Sequence, residues 1–231
     1  MPLSRIYTRL TLSLCIGFFS LGCFAQFNLE AGYSYAYQGS MSLQSIIHKY
    51  ETLNYQTNDL SDAMSMHGID ISGIFHWNDW SAGAYWTYRR NRNSAKYWSM
   101  DGQSELEERL TYMDQTIGLA AQANFGPLAI GNRTGLNSYR LKFSGNTEEP
   151  ERNIKLPAGI NTQVYISYTL PGQGLVRFLI RPYIQLNLYE FQLDEVQIAL
   201  DMPVDELSFE NYRQGMIGIS LIFANGEPRV D

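Results

Sequence analysis

"HGIDISGIFHWNDWSAGAYWTYRRN", residues 67–91, consists of two runs in which large apolar side chains alternate with small or polar ones. In the first run Ile69, Ile71, Phe75 and Trp77, with Gly73 in phase, oppose Asp70, Ser72 and His76. In the second, Trp80, Ala82, Ala84, Trp86 and Tyr88 oppose Ser81, Gly83, Thr87 and Arg89. A period of two is that of a strand whose faces meet different surroundings. Asn78 and Asp79, between the two Trp, are residues that tight turns select, so the stretch predicts an antiparallel hairpin.

Working outward, the same period picks out eight segments: 27–37, 67–77, 80–90, 111–125, 127–143, 159–170, 174–190 and 212–224. The first sets Phe27, Leu29, Ala31, Tyr33, Tyr35 and Tyr37 against Asn28, Glu30, Gly32, Ser34 and Ala36. The fifth is the least regular, because Asn132 and Thr134 fall in phase with Leu128, Ile130 and Leu136, and a bulge is expected to shift its register. Connections alternate in length: 38–66, 91–110, 144–158 and 191–211 are long, whereas 78–79, 126–127 and 171–174 are short and rich in turn residues. In an up-and-down sheet this gathers the long loops at one end and the short turns, with both termini, at the other.

The first 25 residues stand apart. Arg5 and Arg9 precede the apolar run "LTLSLCIGFFSLGCF", and Cys23 and Ala25 occupy the −3 and −1 positions of a cut before Gln26. This is the pattern of a secretory signal peptide, and residues 26–231 form the expected domain. The rival readings are a membrane helix, for which the run is short, and a lipoprotein signal at Cys23, for which Ser20 and Leu21 fit poorly. Both cysteines, Cys15 and Cys23, lie in this segment, so disulfides and thiolate metal sites are excluded downstream of it.

Of 17 basic residues, removal of Arg5 and Arg9 leaves 15 against 23 acidic ones, a net charge of −8. That balance argues against a nucleic-acid backbone as partner. Charged residues make up only 17% of the chain and aromatic ones 13%, and only four Lys occur: Lys49, Lys96, Lys142 and Lys155. A water-facing sheet needs more charge than this on its exposed face and edges.

Strand count, alternation and the unequal ends together resemble the small eight-stranded outer-membrane β-barrels of the OmpA/OmpX type. The last strand, "GMIGISLIF", is similar to the apolar, Phe-ended closing strand that such proteins present to the outer-membrane assembly machinery, although eight residues, "ANGEPRVD", follow Phe223. The resemblance implies an all-β, antiparallel, up-and-down transmembrane barrel in the bacterial outer membrane, with extracellular loops and periplasmic termini. Trp77 and Trp80 would then lie at the periplasmic interface, and Tyr35, Tyr37 and Tyr88 at the opposite one. Eight residues from Trp80 to Tyr88, at roughly 3.3 Å each and tilted by about 40°, span on the order of 20 Å, near the ~25 Å apolar band of such barrels. The rival is a soluble lipocalin-like barrel with the apolar face inside, whose outer surface would be poor in charge.

With the polar face inward, Glu30, Asp70, Arg89, Arg133, Arg177 and Arg181 are the candidates for the lumen. A lumen of eight strands is just wide enough to be filled by side chains, so a structural ion-pair network is expected, with a narrow polar path as the sharper alternative.

No HExxH, GxSxG, Gly-rich phosphate loop or metal-spaced His cluster occurs, so neither enzyme chemistry, metal nor cofactor is expected. A lipid-active pair of His67 and Ser65 is the minority reading, against an ordinary polar girdle residue. In the loops, Leu43, Ile46, Ile47 and Tyr50 mark one face of a short helix expected to pack on the barrel rim, with a partner-binding helix as the minority reading, and strands seven and eight are expected to extend as a ribbon turning near residues 202–205. Residues 190–213 carry seven acids and one base, a charge suited to solvation or, as the functional alternative, to attracting a basic protein or divalent cations that bridge lipopolysaccharide. The expected partners are outer-membrane lipids including lipopolysaccharide, the assembly machinery and, as a further candidate, an extracellular protein. The expected role is structural or surface recognition, including adhesion, with a lipid-modifying enzyme or a small pore or secretion component as alternatives.

Overall fold

A computed structural model of the chain describes residues 26–39, 46–50, 65–98, 105–145, 152–156, 158–172, 175–189, 196–198, 200 and 215–225. Nine strands make up most of these: β1 (Gln26–Gly39), β2 (Ser65–Trp77), β3 (Trp80–Trp98), β4 (Glu105–Phe125), β5 (Leu128–Gly145), β6 (Arg152–Lys155), β7 (Gly159–Thr169), β8 (Val176–Asn187) and β9 (Gly215–Asn225). All pairings are antiparallel. They run β1-β2-β3-β4-β5-β7-β8-β9, and β9 returns to β1 through pairs from Glu30 with Ala224 to Gly39 with Gly215. Eight strands therefore close a barrel, and β6 sits on β5 beyond the end of β7. The fold is an all-β, antiparallel, up-and-down barrel, as the alternation predicted. The proposed signal segment, residues 1–25, lies outside the described residues.

The hairpin predicted over residues 67–91 is formed by β2 and β3, with Trp77 directly opposite Trp80. Asn78 takes the left-handed φ of 51° that the reversal requires, a conformation Asn tolerates better than most residues. Around the ring the large apolar residues point out: Phe27, Leu29, Ile69, Phe75, Ile117, Leu119, Ile130, Leu136, Val164, Ile184, Ile217 and Leu221 are all exposed. Their strand neighbours Asn28, Glu30, Asp70, Ser72, Thr116, Arg133, Gln163, Gln185 and Ser220 are buried. The polarity is the inverse of a soluble barrel, which removes the lipocalin-like alternative.

Four expectations are corrected. β5 runs without a bulge, paired continuously with β4 and β7, so Asn132 and Thr134 face outward within the apolar band. They are tolerated there because they satisfy one another: Asn132 donates to Thr162 Oγ1 at 2.9 Å, and Thr134 donates to Asn132 Oδ1 at 3.0 Å. The long connection 91–110 is mostly strand, since β3 and β4 stay paired to Trp98 and Glu105. The connection 144–158 likewise contains β6. The ribbon expected from strands seven and eight is absent where described: β8 ends at Asn187 and residues 196–198 form a helical turn, while the supposed tip at 202–205 lies outside the described residues. Val196 and Leu200 are buried, so that turn is held by burial of its apolar side chains rather than by ladder pairing.

The last strand continues past Phe223 to Asn225, whose side-chain oxygen accepts a 2.6 Å hydrogen bond from the Leu29 amide. The first two residues of "ANGEPRVD" are thus part of the barrel wall.

Candidate functional site

The interior of the ring has three levels. At mid-barrel, residues distant in sequence meet across the lumen because alternate positions of every strand point there. Arg133 (β5) donates to both oxygens of Asp70 (β2) at 2.9 and 2.7 Å and to Ser72 at 3.2 Å, and lies 3.8 Å from the Glu30 carboxylate (β1). Arg181 (β8) donates to both Glu30 oxygens at 3.1 and 2.9 Å. Ser72 donates to Glu30 at 2.7 Å, and Ser220 (β9) to Asp70 at 3.2 Å. Toward the loop end, Arg89 (β3) donates to Asp114 (β4) and Gln185 at 3.1 Å each and, through Nε, to Ser34 at 3.1 Å. The charges balance, three guanidinium groups against three carboxylates, and each of these side chains is at most 3% exposed. Ions so desolvated persist only when paired and hydrogen-bonded.

Tyrosines fill the space between them. The Arg133 guanidinium lies 4.9 Å from the Tyr85 ring centroid and 5.4 Å from that of Tyr165; Arg181 lies 4.8 Å from Tyr165, and Arg89 5.1 Å from Tyr183. Two glycines make room for these rings. Gly131 is paired with Tyr165 and Gly218 with Tyr183, and a Cβ at either glycine would lie 2.4 Å from the phenol of its partner. The aromatic ring thus covers the backbone that the glycine leaves bare.

Toward the loop end the interior turns apolar. Leu110, Tyr112, Leu141, Phe143, Met66 and Met216 line it, and Ile46, Ile47 and Tyr50 from the helical turn at 46–50 are buried among them with Val196 and Leu200. The helix expected to lie on the rim instead enters the mouth; Tyr50 packs edge-on against Phe143 at 5.6 Å and its hydroxyl donates to Glu108 at 3.2 Å. At the turn end a cavity of about 80 Å³, open to solvent, reaches inward past His76, Gln122, Asn124 and Arg177 as far as Glu30.

Sequence reasoning placed Arg177 with the other lumen charges. It lies on the lumen side at the turn end, half-buried in the lining of this cavity, which Glu30 also lines. Asp114, which completes the Arg89 pair, escaped that reading; its position in phase with Thr116 was the available signal. Of the aromatics expected at the membrane interfaces, Trp77, Trp80, Tyr35 and Tyr37 are exposed, and Tyr88 stacks on Trp86 at 6.4 Å.

His67 does not engage the Ser65 side chain: its Nδ1 contacts the Tyr33 hydroxyl at 2.6 Å, and its ring packs on Tyr35 at 5.3 Å. A second His–Ser contact, His76 Nδ1 with Ser81 Oγ at 2.6 Å, joins directly opposed residues of the β2–β3 hairpin. Ser81 is 1% exposed and also accepts from Asn124 at 2.7 Å. A hydroxyl so enclosed is not presented to an acyl ester. Among the described residues no group of three His, Cys, Asp or Glu side chains could hold a metal ion.

No family model matches the chain, and no curated protein is similar to it in sequence. Solved structures do resemble it in fold. The attachment invasion locus protein Ail of Yersinia pestis, in complex with the heparin analogue sucrose octasulfate, is 10% identical with a TM-score of 0.45, covering 87% of this chain and 98% of that one. Neisserial surface protein A is 12% identical with a TM-score of 0.37, covering 86% and 97%. The translocator domain of the autotransporter NalP from Neisseria meningitidis is 9% identical with a TM-score of 0.34, covering 87% and 88%.

Proposed function

We propose that the chain is a non-conducting barrel of the bacterial outer membrane, with the connections at the loop end outside the cell and the termini in the periplasm, and that its loop end serves surface recognition. The observation that carries this reading is the double closure of the lumen. A neutral ion network spans its middle, and the buried Ile46, Ile47, Tyr50, Val196 and Leu200 stop its loop end. A solute entering from the turn-end cavity meets Glu30 bonded to Arg181, and beyond it a buried apolar cluster.

The membrane placement is supported by the continuous exposed apolar wall, which in water would be far larger than the patches soluble monomers carry. Orientation is supported by the ends: the Asn78–Asp79 and Gly126–Pro127 turns, Gln26 and Asn225 share one end, as in barrels whose periplasmic turns are short. What remains for function is the loop end, since binding residues concentrate on connections held by a rigid scaffold.

Reconstitution into planar bilayers tests the closure. The purified barrel is expected to give no steady conductance at neutral pH; steady open channels of porin size would refute the plugged lumen and favour a transport role.

A further inference from the structure

Beyond the apolar band the outward face of one wall changes character. The register row Trp86–Ile117–Leu136–Ile160 is apolar, and the next, Tyr88–Gln115–Ser138, is mixed. The row after that is Arg90–Met113–Arg140–Lys155, followed by Arg92–Thr111–Lys142–Asn153, then Ser94–Arg109–Ser144, and Lys96 opposite Glu107. Arg90, Arg92, Lys96, Arg140 and Lys155 are exposed, and Arg109 and Lys142 half-exposed, while the alternate residues Arg89, Asn91, Ala95, Tyr112, Leu141 and Phe143 face inward. Seven of the 15 basic residues downstream of residue 25 therefore share one side of β3, β4, β5 and β6. The acidic side chain described on this side is Glu107, which Arg109 holds at 3.1 Å. A net charge of −8 for residues 26–231 conceals this cluster of cations among the described residues.

We infer that this wall binds the phosphate-bearing headgroups of the membrane's own outer-leaflet lipids. The inference rests on the membrane placement proposed above and names the ligand of the loop end. Three features favour lipid over a soluble polyanion. The cations point sideways from the barrel wall, in the direction of surrounding lipid. The first cationic row begins two residues beyond the mixed row, about 7 Å along the strands and roughly 5 Å in height at a tilt of about 40°, which is headgroup depth. Successive rows repeat at the same ~7 Å spacing, so a headgroup with more than one phosphate would meet more than one row. Arg supplies paired donors that match phosphate oxygens, and the wall offers Arg90, Arg92 and Arg140 within two adjacent rows.

The test titrates the full barrel, refolded in nonionic detergent micelles, with bisphosphorylated lipid A and with its dephosphorylated form, reading bound lipid by native mass spectrometry. Removal of one cation near an anionic headgroup weakens binding roughly fivefold, so Arg90→Gln/Arg140→Gln/Lys155→Gln is expected to lose on the order of 100-fold in affinity for bisphosphorylated lipid A. Dephosphorylated lipid A is expected to bind weakly to both proteins, and rising salt to erode the difference. Each variant must keep the heat-dependent gel shift of a folded barrel; if the triple variant does not, Arg92→Gln/Lys142→Gln serves, with an expected loss on the order of 25-fold. Equal binding of wild type and folded variants, or equal binding of the two lipid forms, overturns the inference. So does binding of a sulfated polysaccharide that these substitutions abolish while lipid A binding is indifferent to phosphate. A wild type that is folded and monomeric without detergent would fail the membrane placement instead, a result read before any lipid is added.

Discussion

Replacing Arg89 by Met is expected to destabilise the barrel by about 3–5 kcal/mol, because Asp114 would be left charged and unpaired in a closed interior. Both side chains are 0% exposed, and among the described residues the carboxylate's other partner is the Thr116 hydroxyl, which donates to it at 3.4 Å. Met is close to the Arg stem in length, so the loss reports the orphaned charge rather than a cavity. The double variant Arg89→Met/Asp114→Leu removes both ions and is expected to recover most of the loss, since well-packed apolar pairs often replace buried ion pairs at little cost. Urea unfolding in phospholipid vesicles, followed by tryptophan fluorescence, measures all three proteins. A single variant that costs under about 1 kcal/mol would mean that Asp114 reaches water, and the lumen would then be a hydrated path rather than a plug.

Leu119→Arg is expected to cost about 2–4 kcal/mol in the same assay. Leu119 is 72% exposed and lies on β4 midway between Ala123, which pairs with Trp80, and Gln115, which pairs with Tyr88. At the centre of a bilayer a guanidinium must shed water or drag it in, and either is costly. On a soluble protein the same change at so exposed a site falls within about 0.5 kcal/mol. Gln115→Arg, one interface away, is the internal control and is expected to cost at most about 1 kcal/mol. A neutral Leu119→Arg beside a neutral control would place this face in water.

The strands that cross the band were legible because lipid outside and polar side chains inside impose a period of two with few exceptions. Asn132 and Thr134 broke it and suggested a bulge, whereas the chain keeps its register and lets Asn132, Thr134 and Thr162 bond among themselves. Beyond the band the rule inverts. In β3 and β4 the inward residues become apolar, Ala95, Leu110 and Tyr112, and the outward ones cationic, Arg90, Arg92 and Lys96. A count that equates large apolar with outward loses its phase at that crossing, which is why residues 91–110 read as a loop. The inversion itself marks the interface, and it hid both the plug and the basic wall.

Phase alone could group Glu30, Asp70, Arg89, Arg133 and Arg181 on one face, but not say which of them meet. Partners such as Glu30 and Arg181 are brought together by ring closure and register, which no local pattern encodes. Arg177 shared the phase yet sits one turn-end level lower, beside the open cavity. Asp114 stands at the crossing where the inward face changes from polar, at Thr116, to apolar, at Tyr112.

The inside-out polarity of the ring can be put to one measurement: residues 26–231, unfolded in urea, diluted either into buffer alone or into phospholipid vesicles, and followed by circular dichroism and the heat-dependent gel shift. Strand signal and shift are expected only with vesicles, and aggregate without them. A folded, monomeric, detergent-free protein in plain buffer would contradict the account at its root.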